Sequence, residues 1–135
     1  MTHFDFAELN IWAIVVASVL NMVIGFLWYS MALFGKPWMN ALGFKVEDLN
    51  PSPWIYVFAF LLGVVIATFM ALFLQGVEGA LAGMTYGGVL ALVFVIPTMI
   101  THHLYEQRKG KLMLIVAGHE LVVFLAFGAI LGGWQ

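Results

Sequence analysis

Four apolar stretches constrain the fold of this chain more than any other feature. They cover residues 9–34, 54–75, 79–102 and 111–132. A helix of about 20 apolar residues crosses the ~30 Å hydrocarbon core of a bilayer. Composition agrees, because 64% of the residues are hydrophobic and only 9% are charged, whereas average soluble chains are about 25% charged. The sequence therefore predicts an all-α polytopic membrane protein, whose four transmembrane helices form one compact bundle over residues 1–135.

The basic residues predict the orientation of the bundle. All five Lys and Arg residues fall in the loops that follow the first and third apolar stretches, and the other connection and both termini carry none. Short loops rich in Lys and Arg stay in the cytoplasm. We therefore expect a multi-pass protein of the cell's inner (plasma) membrane with both termini outside. The residues that carry this argument are Lys36, Lys45, Arg108, Lys109 and Lys111.

Several classes of function are excluded or disfavoured by what the sequence lacks. The chain has no cysteine, so disulfides, thiolate metal sites and cysteine catalysis are excluded. No basic patch indicates nucleic acid. The hydroxyl residues have no His and carboxylate at helical spacing, and the glycine repeats lack the Lys-Ser/Thr of phosphate loops. We expect neither an enzyme nor a cofactor, and the expected partners are the lipid bilayer and either further copies of the chain or a larger membrane complex.

Small residues at helical spacing predict close helix contacts. Gly79, Gly83 and Gly87 recur at every fourth position and form two overlapping GxxxG motifs. Such faces let helix backbones approach closely inside lipid. The pattern leaves open whether the partner is the second stretch, the fourth stretch or another subunit. The glycines expected at helix contacts are Gly25, Gly79, Gly83, Gly87, Gly128 and Gly132.

Two motifs resemble a known family. Residues 25–30 (GFLWYS), followed by residues 33–39 (LFGKPWM), resemble the G-x-L-W-Y-S and L-F-G-K-x-W-M signature of an uncharacterised bacterial family, domain of unknown function 1761. Residues 128–134 (GAILGGW) are similar to its closing G-A-I-L-G-x-W. The resemblance covers nearly the whole chain and implies a four-span membrane protein. It implies no activity and no functional residue.

Ionisable side chains inside the last apolar stretch give the strongest functional signal. His119 and Glu120 lie near its middle, where a carboxyl costs a few kcal/mol unless it is protonated, paired or hydrated. One interpretation is a proton- or cation-responsive carboxyl in a transport pathway. The other is a protonated Glu120 that is hydrogen-bonded to Asn21, Thr68 or a tyrosine. Asn21, at a comparable depth in the first stretch, serves either as that partner or as an interhelical hydrogen bond.

The end of the third apolar stretch carries a second group of polar residues. Thr98 and His102 share a helix face, and His102, His103 and Glu106 form an H-H-x-x-E cluster. His102 and Glu106 are four residues apart and could share a divalent metal. Two ligands are too few, and a solvated helix end explains the same residues. We expect no metal there, and haem held by His102 and His119 is disfavoured because the two residues differ in depth.

Two classes of function remain. The first is a homo-oligomeric channel or transporter for protons or small cations. Its polar route would involve Glu120, His119 and Asn21, with Thr98 and His102 as further candidates. Oligomerisation is expected in that case, because four spans barely enclose a pore. The second class is an accessory or assembly subunit of a larger membrane complex, in which these side chains only satisfy one another.

Overall fold

A computed structural model describes residues 4–135, and residues 1–3 of the predicted domain lie outside the described residues. The described part is helical and contains no β-strand. Short 3-10 turns at Phe6–Glu8 and Val46–Asp48 precede α1 and α3. The α-helices are α1 (Ile11–Trp28), α2 (Gly35–Leu42), α3 (Pro53–Phe73), α4 (Ala80–Leu90), α5 (Ile96–Tyr105) and α6 (Gly110–Gly133).

Four of these helical units are long and apolar enough to cross a membrane. They are α1, α3, α6 and the continuous helix Ala80–Tyr105 that joins α4 to α5. Their outer surfaces are apolar, with large side chains such as Trp12, Leu81 and Leu114 more than two-thirds exposed. Exposed apolar surface on this scale marks a membrane-embedded protein. The prediction of an all-α bundle with four membrane-crossing helices is confirmed.

The core lies where α6 meets α1, α3 and α4. Much of it consists of small side chains, including Ala13, Ala17 and Ala67, and Phe127 is the largest fully buried side chain among the described residues. Small residues suit a membrane bundle, because inside lipid the helices are held by close packing and hydrogen bonds.

The closest contact in the bundle is between α4 and α6. A methyl group at Gly83 would overlap the Gly128 carbonyl oxygen, and one at Gly128 would overlap the Gly83 carbonyl oxygen. Just before the start of α4, the Gly79 N–H donates to the Gly132 carbonyl oxygen at 3.0 Å. Gly79, Gly83 and Gly87, which we call the glycine ladder, therefore pack against the fourth apolar stretch. The sequence had left open whether their partner was the second stretch, the fourth stretch or another subunit.

A π-helical segment, Ala91–Val95, joins α4 to α5 immediately before Ile96 and Pro97. Proline has no N–H to donate to the preceding turn, and a π segment is a common way to absorb such an interruption. The helix then continues to Tyr105, beyond the predicted end of the third span at His102.

Hydrogen bonds tie both termini to the α3–α4 connection. The Asn10 side-chain amide donates to the Trp134 carbonyl oxygen at 3.3 Å, and the Gln135 amide donates to the Val77 carbonyl oxygen at 2.9 Å. Asp5 and Gln75 exchange two more hydrogen bonds. The three segments that carry no Lys or Arg thus lie at one end of the bundle, which we call the terminal end; the opposite end, where α1 meets α2, is the loop end.

The chain reverses direction directly after α1. The helix ends at Trp28, not near Phe34 as the length of the first apolar stretch suggested. The Phe34 N–H donates to the Trp28 carbonyl oxygen and the Gly35 N–H to that of Ser30, both at 2.9 Å. A side chain at Gly35 would collide with the Ser30 carbonyl oxygen. The Gly-Lys-Pro-Trp segment therefore begins α2, and the apolar run to Phe34 gave no sign of this because turn residues there are also apolar.

Candidate functional site

His119 lies against the loop end of α1. Its ring centroid is 5.2 Å from that of Tyr29 and 6.2 Å from that of Trp28. One turn earlier in α1, Gly25 leaves room for the imidazole, since a methyl group there would lie 3.8 Å from His119 Nε2. The position of His119 is therefore set by the first motif of the sequence.

The second motif closes over the first. Trp28 packs on Phe34 with 4.5 Å between ring centroids, and Tyr29 packs on Trp38 of α2 at 4.8 Å. The Trp28 indole N–H also donates to the Ile115 carbonyl oxygen of α6 at 3.0 Å. We call Trp28, Tyr29, Phe34 and Trp38 the aromatic cluster; it fixes the turn of α6 that carries His119.

The imidazole of His119 has no hydrogen bond among the described residues. Both ring nitrogens are buried without a partner. The nearest charged group is Glu120, whose Oε1 lies 3.5 Å from His119 Nδ1, and the two side chains are 14% and 29% exposed. Buried polar atoms are nearly always hydrogen-bonded. The two imidazole nitrogens therefore need a hydrogen-bond partner that a proton shared with Glu120, a water molecule or a ligand would supply. A proton on the imidazole would convert the contact into a charge-assisted one.

A groove of about 760 Å³ opens between α1 and α3 and reaches His119. We call it the α1–α3 groove. Residues 48–51 of the connecting loop line its mouth, and Asn21 lines its deep part. Because Asn21 precedes the end of α1 by two turns, the groove extends ~10 Å from the loop end into the bundle. The polar and aromatic residues that line the groove include Asn21, Tyr29, Trp38, Asp48, Tyr56 and His119.

The structure distributes the predicted polar residues over two places. Asn21 lines the groove with His119 and lies against α3, where a methyl group at Gly63 would be 2.8 Å from Asn21 Nδ2. Asn21 makes no hydrogen bond to Glu120 in the described chain. The hydroxyls of Thr68 and Thr98 donate to the carbonyl oxygens of Val64 and Phe94 in their own helices.

Thr98 and His102 are exposed on α5 and do not line the groove. Near them, Glu106 Oε2 forms an ion pair with Arg108 Nε at 3.0 Å. Within residues 4–135, no group of three or more His, Asp or Glu side chains is placed to hold a metal ion. His102, His103 and Glu106 therefore stand apart from the His119–Glu120 pair.

Beyond Glu120 the bundle is tightly packed. Phe124, Phe127 and Leu131 of α6 are buried, and a methyl group at Gly87 of α4 would overlap the Phe124 carbonyl oxygen. The groove is thus open at the loop end and reaches Asn21 and His119, while the terminal half of the bundle is closed. This arrangement gives the pair access from one side.

Sequence reasoning did not place the aromatic cluster at the site. From the sequence alone, Trp28, Tyr29 and Trp38 are typical of the Trp and Tyr residues that anchor helix ends at the membrane interface. A usable signal was present, because Gly25, Trp28 and Tyr29 lie on adjacent turns and a second Trp follows Pro37.

Together these features define a bundle with four helices long and apolar enough to span a membrane, and with a partly buried His–Glu pair at a one-sided groove. A family model described as protein of unknown function (DUF1761) matches residues 12–132. The chain belongs to this family, as the motifs at residues 25–39 and 128–134 indicated. No curated protein matches the chain, and neither does any solved structure.

Proposed function

We propose that the protein is a small transporter for protons or small cations, and that His119 and Glu120 together bind the transported proton. One observation carries the proposal: both nitrogens of a buried imidazole lack a hydrogen-bond partner among the described residues at the end of a groove, beside a carboxyl at 3.5 Å. Ionisable side chains at this depth are costly, and they mark ion and proton pathways.

The chemistry of the pair suits proton binding. An imidazole beside a carboxyl forms a site that can hold one proton, either as a neutral His–Glu pair or as an ion pair. Water that enters the groove can reach the ring, because the groove is far larger than a single water site. Asn21 and Tyr29 add polar groups along the same path.

Transport also requires access from the other side, which the packing of Phe124 and Phe127 closes in a single copy. We therefore propose a homo-oligomer whose copies rearrange around the pair. Glu120 supports this, since its side chain is 29% exposed on the surface of the bundle. The oligomer would reside in the inner membrane, with the groove opening towards the cytoplasm according to the positive-inside rule.

Flux measurements test the proposal. Wild-type protein in liposomes should move protons or monovalent cations in a pH-dependent way. Glu120→Gln keeps size and hydrogen bonding but removes titration, so it should fold normally and reduce the flux to that of empty liposomes. The matched control is Glu106→Gln, which alters an exposed carboxyl paired with Arg108 and should leave the flux unchanged.

The tight packing beyond Glu120 favours a second candidate, an accessory subunit of a larger membrane complex. In that role Glu120 would meet a partner protein at the exposed side of α6, and no route through the bundle would be needed. Well-folded wild-type protein that moves no ion at any pH or membrane potential would contradict transport and favour this second role.

A further inference from the structure

The size of the α1–α3 groove matches a small organic molecule. Its volume of about 760 Å³ falls within the range of ~300–1,000 Å³ that is typical of ligand pockets. A path used only by protons or by small inorganic cations needs far less room. The groove therefore has room for a small organic molecule.

The charges around the groove favour a cation. No Lys or Arg lines it, and Asp48 lies at its mouth. The Asp48 carboxylate accepts a hydrogen bond from the Lys45 backbone N–H at 3.0 Å, which fixes its position. A second carboxyl, that of Glu120, does not line the groove but lies 3.5 Å from the ring of His119, which does. An anionic ligand, such as a phospholipid headgroup, would find no basic side chain in the lining and would meet the Asp48 carboxylate.

The walls of the groove favour an organic cation over an inorganic one. Phe26 and Tyr56 face each other across α1 and α3 with 5.5 Å between ring centroids, and Tyr29 and Trp38 form a second pair at 4.8 Å. All four rings line the groove. Aromatic faces attract cations, most strongly where water is excluded. They offer few of the oxygen ligands that Mg²⁺ and Ca²⁺ require.

From size, charge and aromatic lining together, we infer that the α1–α3 groove binds a small lipophilic organic cation, whose charged centre lies among the Tyr29, Trp38 and Tyr56 rings. This inference names a substrate class for the site. Binding of the cation is independent of the proposed transport function, and only its movement across the membrane rests on that function. Binding itself is measured without a membrane potential or a proton gradient, so the two claims fail separately.

Tetraphenylphosphonium and tetraphenylborate give the sharpest test, because they have nearly the same size and shape and opposite charge. Each is titrated into purified wild-type protein in a neutral detergent, with protein-free micelles subtracted, and the heat of binding is measured. The phosphonium should bind saturably and at least about tenfold more tightly than the borate, which corresponds to the strength of a desolvated cation–π contact.

Three variants locate the bound cation. Ala59→Trp fills the groove from α3 and should abolish saturable binding, whereas Leu62→Trp, on the exposed side of the same helix, should leave it intact. Asp48→Asn keeps a hydrogen-bond acceptor for the Lys45 N–H and should weaken phosphonium binding by about two- to fivefold, the effect of a solvated charge pair. Equal binding of both ions, or phosphonium binding that Ala59→Trp leaves unchanged, would overturn the inference. Proton flux without phosphonium binding would overturn it too, while leaving the proposed function intact.

Discussion

At the scale of single residues, His119 is the groove residue whose hydrogen bonding is incomplete in the described chain. Its two ring nitrogens are buried without partners among the described residues, and a buried unsatisfied polar group costs about 1–3 kcal/mol. The ring gains packing against Trp28 and Tyr29, but an apolar side chain would gain the same. An imidazole with incomplete hydrogen bonding beside the groove indicates a role in binding, because packing alone would favour an apolar side chain.

The unpaired imidazole nitrogens predict the effect of His119→Leu on stability. The variant replaces an unsatisfied polar ring with an apolar side chain, so it should be as stable as wild type or more stable by about 1 kcal/mol. Thermal unfolding in detergent measures this. As a control, Phe127→Leu shortens a fully buried core side chain and should lose about 1 kcal/mol or more. A melting temperature of His119→Leu as low as that of Phe127→Leu would show that the imidazole is structural.

The polar residues of the site could be predicted from the sequence, whereas its aromatic residues could not. His119, Glu120 and Asn21 stand out because each interrupts an apolar stretch, and the cost of that is known without coordinates. Trp28, Tyr29 and Trp38 do not stand out, since aromatic residues at helix ends are also typical of the membrane interface. Their contacts depend on the reversal of chain direction between α1 and α2 at Gly35, and the spacing of apolar residues in the sequence does not predict that reversal.

At the scale of secondary-structure elements, the α4–α6 contact is the tightest part of the bundle. Backbone meets backbone at Gly83 and Gly128, and the Phe124 carbonyl oxygen lies against Gly87. A side chain added there cannot be accommodated by a rotamer change, because the atoms it meets belong to the main chain. The periodicity of the glycines predicted a contact of this kind, but a repeat on one helix carries no information about its partner.

Leucine substitutions test that contact. Gly83→Leu and Gly87→Leu should each lower the free energy of unfolding by at least about 2 kcal/mol, because overpacking against backbone forces the helices apart. Gly110→Leu is the control, since a side chain there meets no other atom within 4 Å. Gly43 is unsuitable as a control because its φ of 77° strains any other residue. Ladder variants that unfold at the same temperature as Gly110→Leu would contradict the packing.

At the scale of the whole molecule, the basic residues and the hydrogen-bonded termini lie at opposite ends of the bundle. The terminal end carries the Asn10, Gln75 and Gln135 hydrogen bonds. All five Lys and Arg residues lie between α1 and α3 or between α5 and the first turn of α6, at the opposite end. Hydropathy and helix length alone predict the number of spans, and they also predict which helix ends lie together at each end of the bundle. The place of α6 at the centre does not, because all four stretches are similarly apolar.

The orientation predicts the behaviour of reporter fusions. A reporter that is active only outside the cytoplasm should be active when it is fused after Gln135 and inactive when it is inserted within residues 42–50. The physical reason is the retention of short Lys- and Arg-containing loops in the cytoplasm. Activity in the reverse pattern would place the groove on the outer side of the membrane.

The central claim is that His119 and Glu120 together bind a proton, and infrared difference spectroscopy between high and low pH tests it directly. In folded wild-type protein we expect a pH-dependent change in the carboxyl band of Glu120, coupled to a change in the histidine ring bands. Both features should be altered in Glu120→Gln and retained in Glu106→Gln. Wild-type and Glu120→Gln proteins that give the same difference spectrum would contradict proton binding at this pair.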